Sequence, residues 1–217
     1  MNKLFKNILL FFIPLLVSSM VVVGAYLWIS PRNAGILKPF FPKNYFSLSN
    51  APLDSLKGNV ASVSGKVGFV SRIASFATLI NSSIKIEQGE EIDTYGNGET
   101  NIVFPKIGTI DVSANSQINF IQTLPQNFVV WQKQGLAVYS KNGDIPVSIV
   151  TGNLLINLES GKSTISLDKK TKDITVSVSS GSATVAFTSL NNNTKVLTLK
   201  KGDIYIFRDN ARTGIIE

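Results

Sequence analysis

Residues 174–187 read ITVSVSSGSATVAF. Ile174, Val176 and Val178 recur at every second position, with Thr175, Ser177 and Ser179 between them. A period of two puts successive side chains on opposite faces, so this stretch predicts a strand with one face buried. Ser180-Gly181-Ser182 reads as a turn, after which Ala183, Val185 and Phe187 resume the alternation.

The same period runs outward in both directions, through Leu154, Ile156 and Leu158 before it and Ile204 and Ile206 after it. Further turn signals fall at Gly96-Asn97-Gly98, Asn142-Gly143-Asp144, Ser160-Gly161-Lys162, Asn191-Asn192-Asn193 and Lys201-Gly202-Asp203. After residue 29, no stretch of about twelve or more residues joins a helical period to helix caps. Residues 58–217 therefore predict an all-β domain, a solenoid-like, sandwich-like or barrel-like stack of short strands burying one face each.

The 217 residues are 44% hydrophobic and 16% charged, a composition that folds. Cysteine and histidine are absent. That excludes disulfides, thiolate and imidazole metal ligands, and every nucleophilic triad or dyad built on those side chains. No cofactor is expected.

Residues 8–29, ILLFFIPLLVSSMVVVGAYLWI, are twenty-two positions without a charge. As a helix they reach about 33 Å, enough for a hydrocarbon core of about 30 Å. Pro14 kinks such a helix without forbidding it, and Tyr26 and Trp28 lie where rings prefer the headgroup layer. A cleavable signal peptide competes, with Lys3 and Lys6 as its charged start and Val23 and Ala25 as small-residue positions. No clean A-x-A follows, so an uncleaved transmembrane signal anchor in contact with membrane lipid is preferred. Residues 1–7 form a short cytoplasmic tail in this reading, and the C-terminal domain lies outside the cytoplasm. Residues 30–57 carry Pro31, Pro39, Pro42 and Pro52 and read as a juxtamembrane linker. Its Phe40, Phe41, Tyr45 and Phe46, interleaved with Lys38 and Lys43, suit either a membrane surface or the end of the following domain.

After the apolar stretch, nineteen basic residues face fourteen acidic ones. The surplus favours anionic neighbours such as headgroups, wall polymers or acidic protein faces. Lys169, Lys170 and Lys172 are the densest cluster, but Asp168 and Asp173 bracket them, which predicts a solvated hairpin tip. Nucleic acid is not expected, since the domain's basic residues are not interleaved with an exposed aromatic platform and the domain is expected to be exported.

Catalytic patterns are thin. Ser82-Ser83-Ile84-Lys85 fits S-x-x-K, yet Ile84 and Ile86 alternate with Lys85 and Glu87 as in a strand, where that chemistry needs a helical turn. Glu90, Glu91, Asp93 and Glu99 could supply a carboxylate pair for glycosidic cleavage; solvated turn acids are the plainer reading. Gly-acid-Ile turns recur at residues 89–92, 143–145 and 202–204, where a calcium site would need oxygen ligands from several loops. Trp131 and Tyr139 could anchor a sugar or a partner, but Trp131 shares the phase of Val129, which predicts core for it.

The order of these motifs resembles the FecR-like domain family. Ile86 to Phe104, IEQGEEIDTYGNGETNIVF, resembles that family's opening Gly-acid-x-Ile turn and its Gly-rich turn. Gly108 to Val112, Asn115 to Ile118, Gln134 to Val138 and Pro146 to Gly152 resemble its successive strands, and 174–187 and 196–203 its closing elements. The chain departs from the pattern at Tyr95, where glycine is usual, and at Pro105-Lys106-Ile107-Gly108. The resemblance implies a periplasmic sensing domain joined through one helix to a cytoplasmic region that controls a sigma factor; residues 1–7 are too few to fold into that region. The expectation is therefore a membrane-anchored, extracytoplasmic, noncatalytic module of the cell envelope that binds a protein. A wall-polymer or surface-glycan binding module is the alternative.

Overall fold

The computed structural model describes residues 17–22 and 50–217. Residues 17–22 are helical. Most of the predicted anchor 8–29, the tail 1–7 and the linker up to residue 49 lie outside the described residues. Among the described residues, no helix is long and apolar enough to cross a membrane.

The β region is all strand and turn, as its alternation predicts. Its strands among the described residues are β1 (Gly58–Ser64), β2 (Val67–Val70), β3 (Thr78–Ile80), β4 (Lys85–Ile86), β5 (Glu91–Thr94), β6 (Glu99–Phe104) and β7 (Gly108–Val112). There follow β8 (Gln117–Leu124), β9 (Asn127–Lys141), β10 (Val147–Thr151), β11 (Leu154–Leu167), β12 (Asp173–Thr188), β13 (Thr194–Lys200), β14 (Ile204–Arg208) and β15 (Thr213–Ile216). All belong to one open hydrogen-bonded sheet.

That sheet is folded on itself by its three longest strands, each of which changes partners halfway along. In β9, residues 127–134 pair with β8, and residues 128–131 also run parallel to β10; residues 135–141 pair with β11, and residues 137–141 with β7. In β11, residues 154–158 pair with β10 and residues 161–167 with β9. In β12, residues 173–177 pair with β14 and residues 182–188 with β13. Two ribbons result. One runs β13-β12-β11-β10-β9-β8-β5-β2-β3 and the other β15-β14-β12-β11-β9-β7-β6-β1-β4.

The bends sit at glycines. Gly135, Gly161 and Gly181 hold φ of 83°, 78° and 76°, a region that residues with a Cβ rarely enter. Ser160-Gly161-Lys162 and Ser180-Gly181-Ser182 are thus not the chain-reversing turns the sequence suggests. They face each other in register inside the β11–β12 pair, flanked by register shifts, and kink two long strands together. The chain reverses instead at residues 168–172, where Asp168 Oδ1 accepts from the N–H groups of Lys170 at 2.7 Å and Thr171 at 2.9 Å. Lys169, Lys170 and Lys172 are exposed on this hairpin tip, as their bracketing acids predict.

The ribbons meet across an aromatic core. Phe104 of β6 packs against Phe120 of β8 at 5.2 Å and Phe128 of β9 at 4.8 Å, and Phe187 of β12 against Phe207 of β14 at 4.8 Å. Ile174, Val176, Val178, Leu154, Ile156, Leu158, Ala183, Val185 and Phe187 are buried in the predicted phase. β14 reverses the prediction: Tyr205 and Phe207 are buried, and Ile204 and Ile206 face outward. Both alternating sets of that strand are apolar, and the larger rings, with more surface to remove from water, take the inside. Residues 55–57 also belong to the domain rather than to a free linker, since Ser55 is buried and the Leu56 N–H donates to Thr123 O at 2.6 Å.

Candidate docking face on the outer side of the sheet

The outer side of the first ribbon carries a ladder of side chains in cross-strand register. Glu91 of β5 stands opposite Asn119 of β8, and Asn119 opposite Trp131 of β9. Trp131 faces Val150 of β10, Val150 faces Leu155 of β11, Leu155 faces Ala186 of β12, and Ala186 faces Val196 of the edge strand β13. Directly opposed residues on one face have Cβ atoms about 5 Å apart, so these side chains form a continuous row. Trp131, Leu155 and Val196 are 42%, 39% and 61% exposed.

The position of Trp131 corrects the core expectation. Trp131 does share the phase of Val129, but that phase is the outer one; Phe128, Val130 and Gln132 point inward. Gln132 is fully buried and satisfied, its Nε2 donating to Gly135 O at 2.8 Å and Ile165 O at 3.0 Å, and its Oε1 accepting from Tyr139 Oη at 3.0 Å. Tyr139 is core, on the far side of the Gly135 bend.

At the Trp131 end the row becomes polar. Glu91 is only 7% exposed, and three side chains converge on it. Gln117 Nε2 donates to its Oε1 at 2.5 Å, Asn119 Nδ2 to its Oε2 at 3.1 Å, and Lys133 Nζ forms an ion pair with Oε2. The Lys133 ammonium also lies 5.1 Å from the Trp131 ring centroid, within cation–π range. Burial pulls the Glu91 carboxyl upward, but the bonds from Lys133, Asn119 and Gln117 outweigh it and hold the group below its ordinary value. Asp93, two residues along the strand, responds the other way. Burial, and then the adjacent Glu91 charge, push its carboxyl up to about 6. Its Oδ1 is buried without a hydrogen-bond partner.

Glu91 and Asp93 are accordingly not the solvated turn acids that their sequence suggests. Glu90 lies in the turn before β5 and accepts from the Glu87 N–H at 2.7 Å, and Glu99 is exposed on β6 of the other ribbon, so the four acids do not converge. The S-x-x-K segment runs into the short strand β4, with Ser83 Oγ 3.1 Å from Asn59 Oδ1. Among the described residues, no group of three or more acidic side chains could hold a metal. At the other Gly-acid-Ile turns, Asp144 is exposed, and Asp203 Oδ2 accepts from the Lys200 N–H at 2.8 Å.

Sequence reasoning missed Gln117, Asn119, Lys133, Val150, Leu155 and Val196. The outward phase was readable for Leu155, which alternates with Leu154 and Ile156, but not for Lys133, which shares the phase of Trp131; the registration of all six into one row depends on strand pairing. The arrangement offers an apolar strip with an aromatic at one end, beside a buried charge network and ending on β13, which among the described residues pairs only with β12.

No protein-family model matches the chain, and no curated protein matches it. Two crystal structures of a "putative anti-sigma factor" from Parabacteroides distasonis ATCC 8503, at 2.50 and 1.65 Å resolution, are similar in fold. They share 15% and 14% identity with it at a TM-score of 0.50, with 58% of each chain covered in both cases. The match thus spans less than two thirds of those proteins. At that identity the likeness is one of fold.

Proposed function

We propose that residues 58–217 are a noncatalytic protein-docking module of a cell envelope, of FecR-like type, held outside the cytoplasm by residues 8–29. The observation that carries this reading is the exposed, in-register row from Trp131 to Val196. An apolar strip across five strands, with a tryptophan at one end, is the composition of an interface centre, where buried aromatics supply much of the affinity. The β13 edge beyond Val196 offers free backbone groups to an added strand. The fold shared with the two "putative anti-sigma factor" structures, and the sequence resemblance to FecR-like domains, support an envelope-signalling partner.

A photocrosslinker at Leu155 in the full chain, expressed in its own cell, tests the reading. It predicts one discrete protein adduct that Trp131→Ala reduces by about tenfold, the scale of a hot-spot residue. The absence of any adduct from positions along the row sinks it. A glycan reading draws on one feature, the exposed Trp131 ring with the Asn119 side chain opposite it, since a ring with an adjacent amide suits a sugar. Salt-resistant retention on purified wall material, lost with Trp131→Ala, would favour that alternative. Protease treatment of intact and permeabilised cells checks the location.

A further inference from the structure

A second apolar feature lies apart from the row. Residues 71–77, SRIASFA, join β2 to β3. Ile73 and Phe76 are 72% and 77% exposed. Their loop neighbours Ala74, Ser75 and Ala77 are small, so two large apolar groups project from an otherwise low tip. Leu79, on the adjoining strand, is also exposed.

The base of this loop is fixed. Arg72 Nε donates to Gln88 O at 2.6 Å, Arg72 Nη2 reaches the same carbonyl, and the guanidinium lies 3.9 Å from Glu87 Oε2. The other oxygen of that carboxylate takes Lys57 Nζ at 2.7 Å. One glutamate therefore ties the loop to the segment by which the chain enters the domain, where Leu53 is exposed as well. From there the chain preceding residue 53 leads back to the apolar stretch 8–29. Extended chain covers at most about 3.5 Å per residue, so a bilayer holding that stretch is within reach of this end of the domain.

We infer that the 71–77 loop is a bilayer-contacting tip, pressing Ile73 and Phe76 into the boundary between headgroups and acyl chains. Apolar groups on a fixed support gain by leaving water without ordering a mobile segment. A folded protein partner fits this tip less well than a lipid surface, since two side chains on a narrow loop offer little interface area. The inference takes its membrane from the tether reading, and the test separates the two.

The chain has no cysteine, so Ser75→Cys gives a single site for an environment-sensitive dye, and Lys170→Cys on the β11–β12 hairpin tip gives a reference. The full labelled chain is mixed with vesicles of phosphatidylglycerol and phosphatidylcholine carrying a lipid-borne quencher. Quenching at 75 should exceed that at 170 by about threefold, and Ile73→Ser with Phe76→Ser should abolish the excess. Equal quenching at the two sites, or excess quenching that survives the double substitution, overturns the inference. If alkaline carbonate strips the chain from vesicles while the dye at 75 still reports lipid at neutral pH, the loop contact stands and the tether falls. If the chain resists carbonate while the two sites quench equally, the tether stands and the loop contact falls.

Discussion

Asp93 and Glu91 stand two residues apart on one strand and titrate in opposite directions because only Glu91 has donors on both oxygens. Asp93 at about 6 in the folded chain, against an ordinary 3.8, binds its proton more tightly folded than unfolded. Its contribution to stability is therefore fully present below about pH 4 and is lost as pH rises through about 6. Glu91, held below its ordinary value, contributes at neutral pH and loses that contribution under acid. Asp93→Asn should flatten the fall between pH 4 and 6 and raise stability at pH 7 by about 1–2 kcal/mol, allowing for solvent screening. Urea midpoints across that range check it, and an unaltered pH profile would refute the assignment. Lys133→Met removes the cation from a nearly buried carboxylate and should cost about 1–3 kcal/mol. It also uncovers the Trp131 ring, so iodide quenching of the one tryptophan within 58–217 should rise.

The element that organises the molecule is the bent pair β11–β12. A Cβ on Gly161 would stand 2.3 Å from Ser180 O, and one on Gly181 would stand 2.1 Å from Ser160 O. Backbone cannot yield there without breaking the ladder. Each single Gly→Ala change should cost about 2–3 kcal/mol, from positive φ together with the clash. The double change should cost less than the sum, because the two sites face each other and share one distortion. Thermal or urea denaturation of the three variants measures both; additive losses would mean that the bends are independent.

At the scale of the whole domain, β9, β11 and β12 each run through both ribbons, so neither ribbon can open without disrupting strands of the other. Residues 50–217 should unfold in a single cooperative transition. Amides in the middle of these three strands should exchange slowest, and those of the edge strands β3 and β15 fastest, by several orders of magnitude. Hydrogen exchange followed by mass spectrometry reads this order directly; early exchange in the 154–158 half of β11 would contradict it. Phe207→Ala, which hollows the contact between ribbons, should cost about 3–5 kcal/mol.

The strands were legible from alternation alone wherever one face is apolar and the other carries Ser and Thr, as at 174–178. The period of two is a property of the backbone and needs no tertiary knowledge. It failed at 204–207, where both faces are apolar, and at Trp131, where an aromatic in phase with a valine says nothing about which face is inside. Glycine at 161 and 181 announced a positive φ but not its use, since the same local conformation serves a turn or a bend. The candidate face was least legible of all. Glu91, Asn119, Trp131, Val150, Leu155 and Val196 lie far apart along the chain, and only the pairing of distant strands sets them side by side.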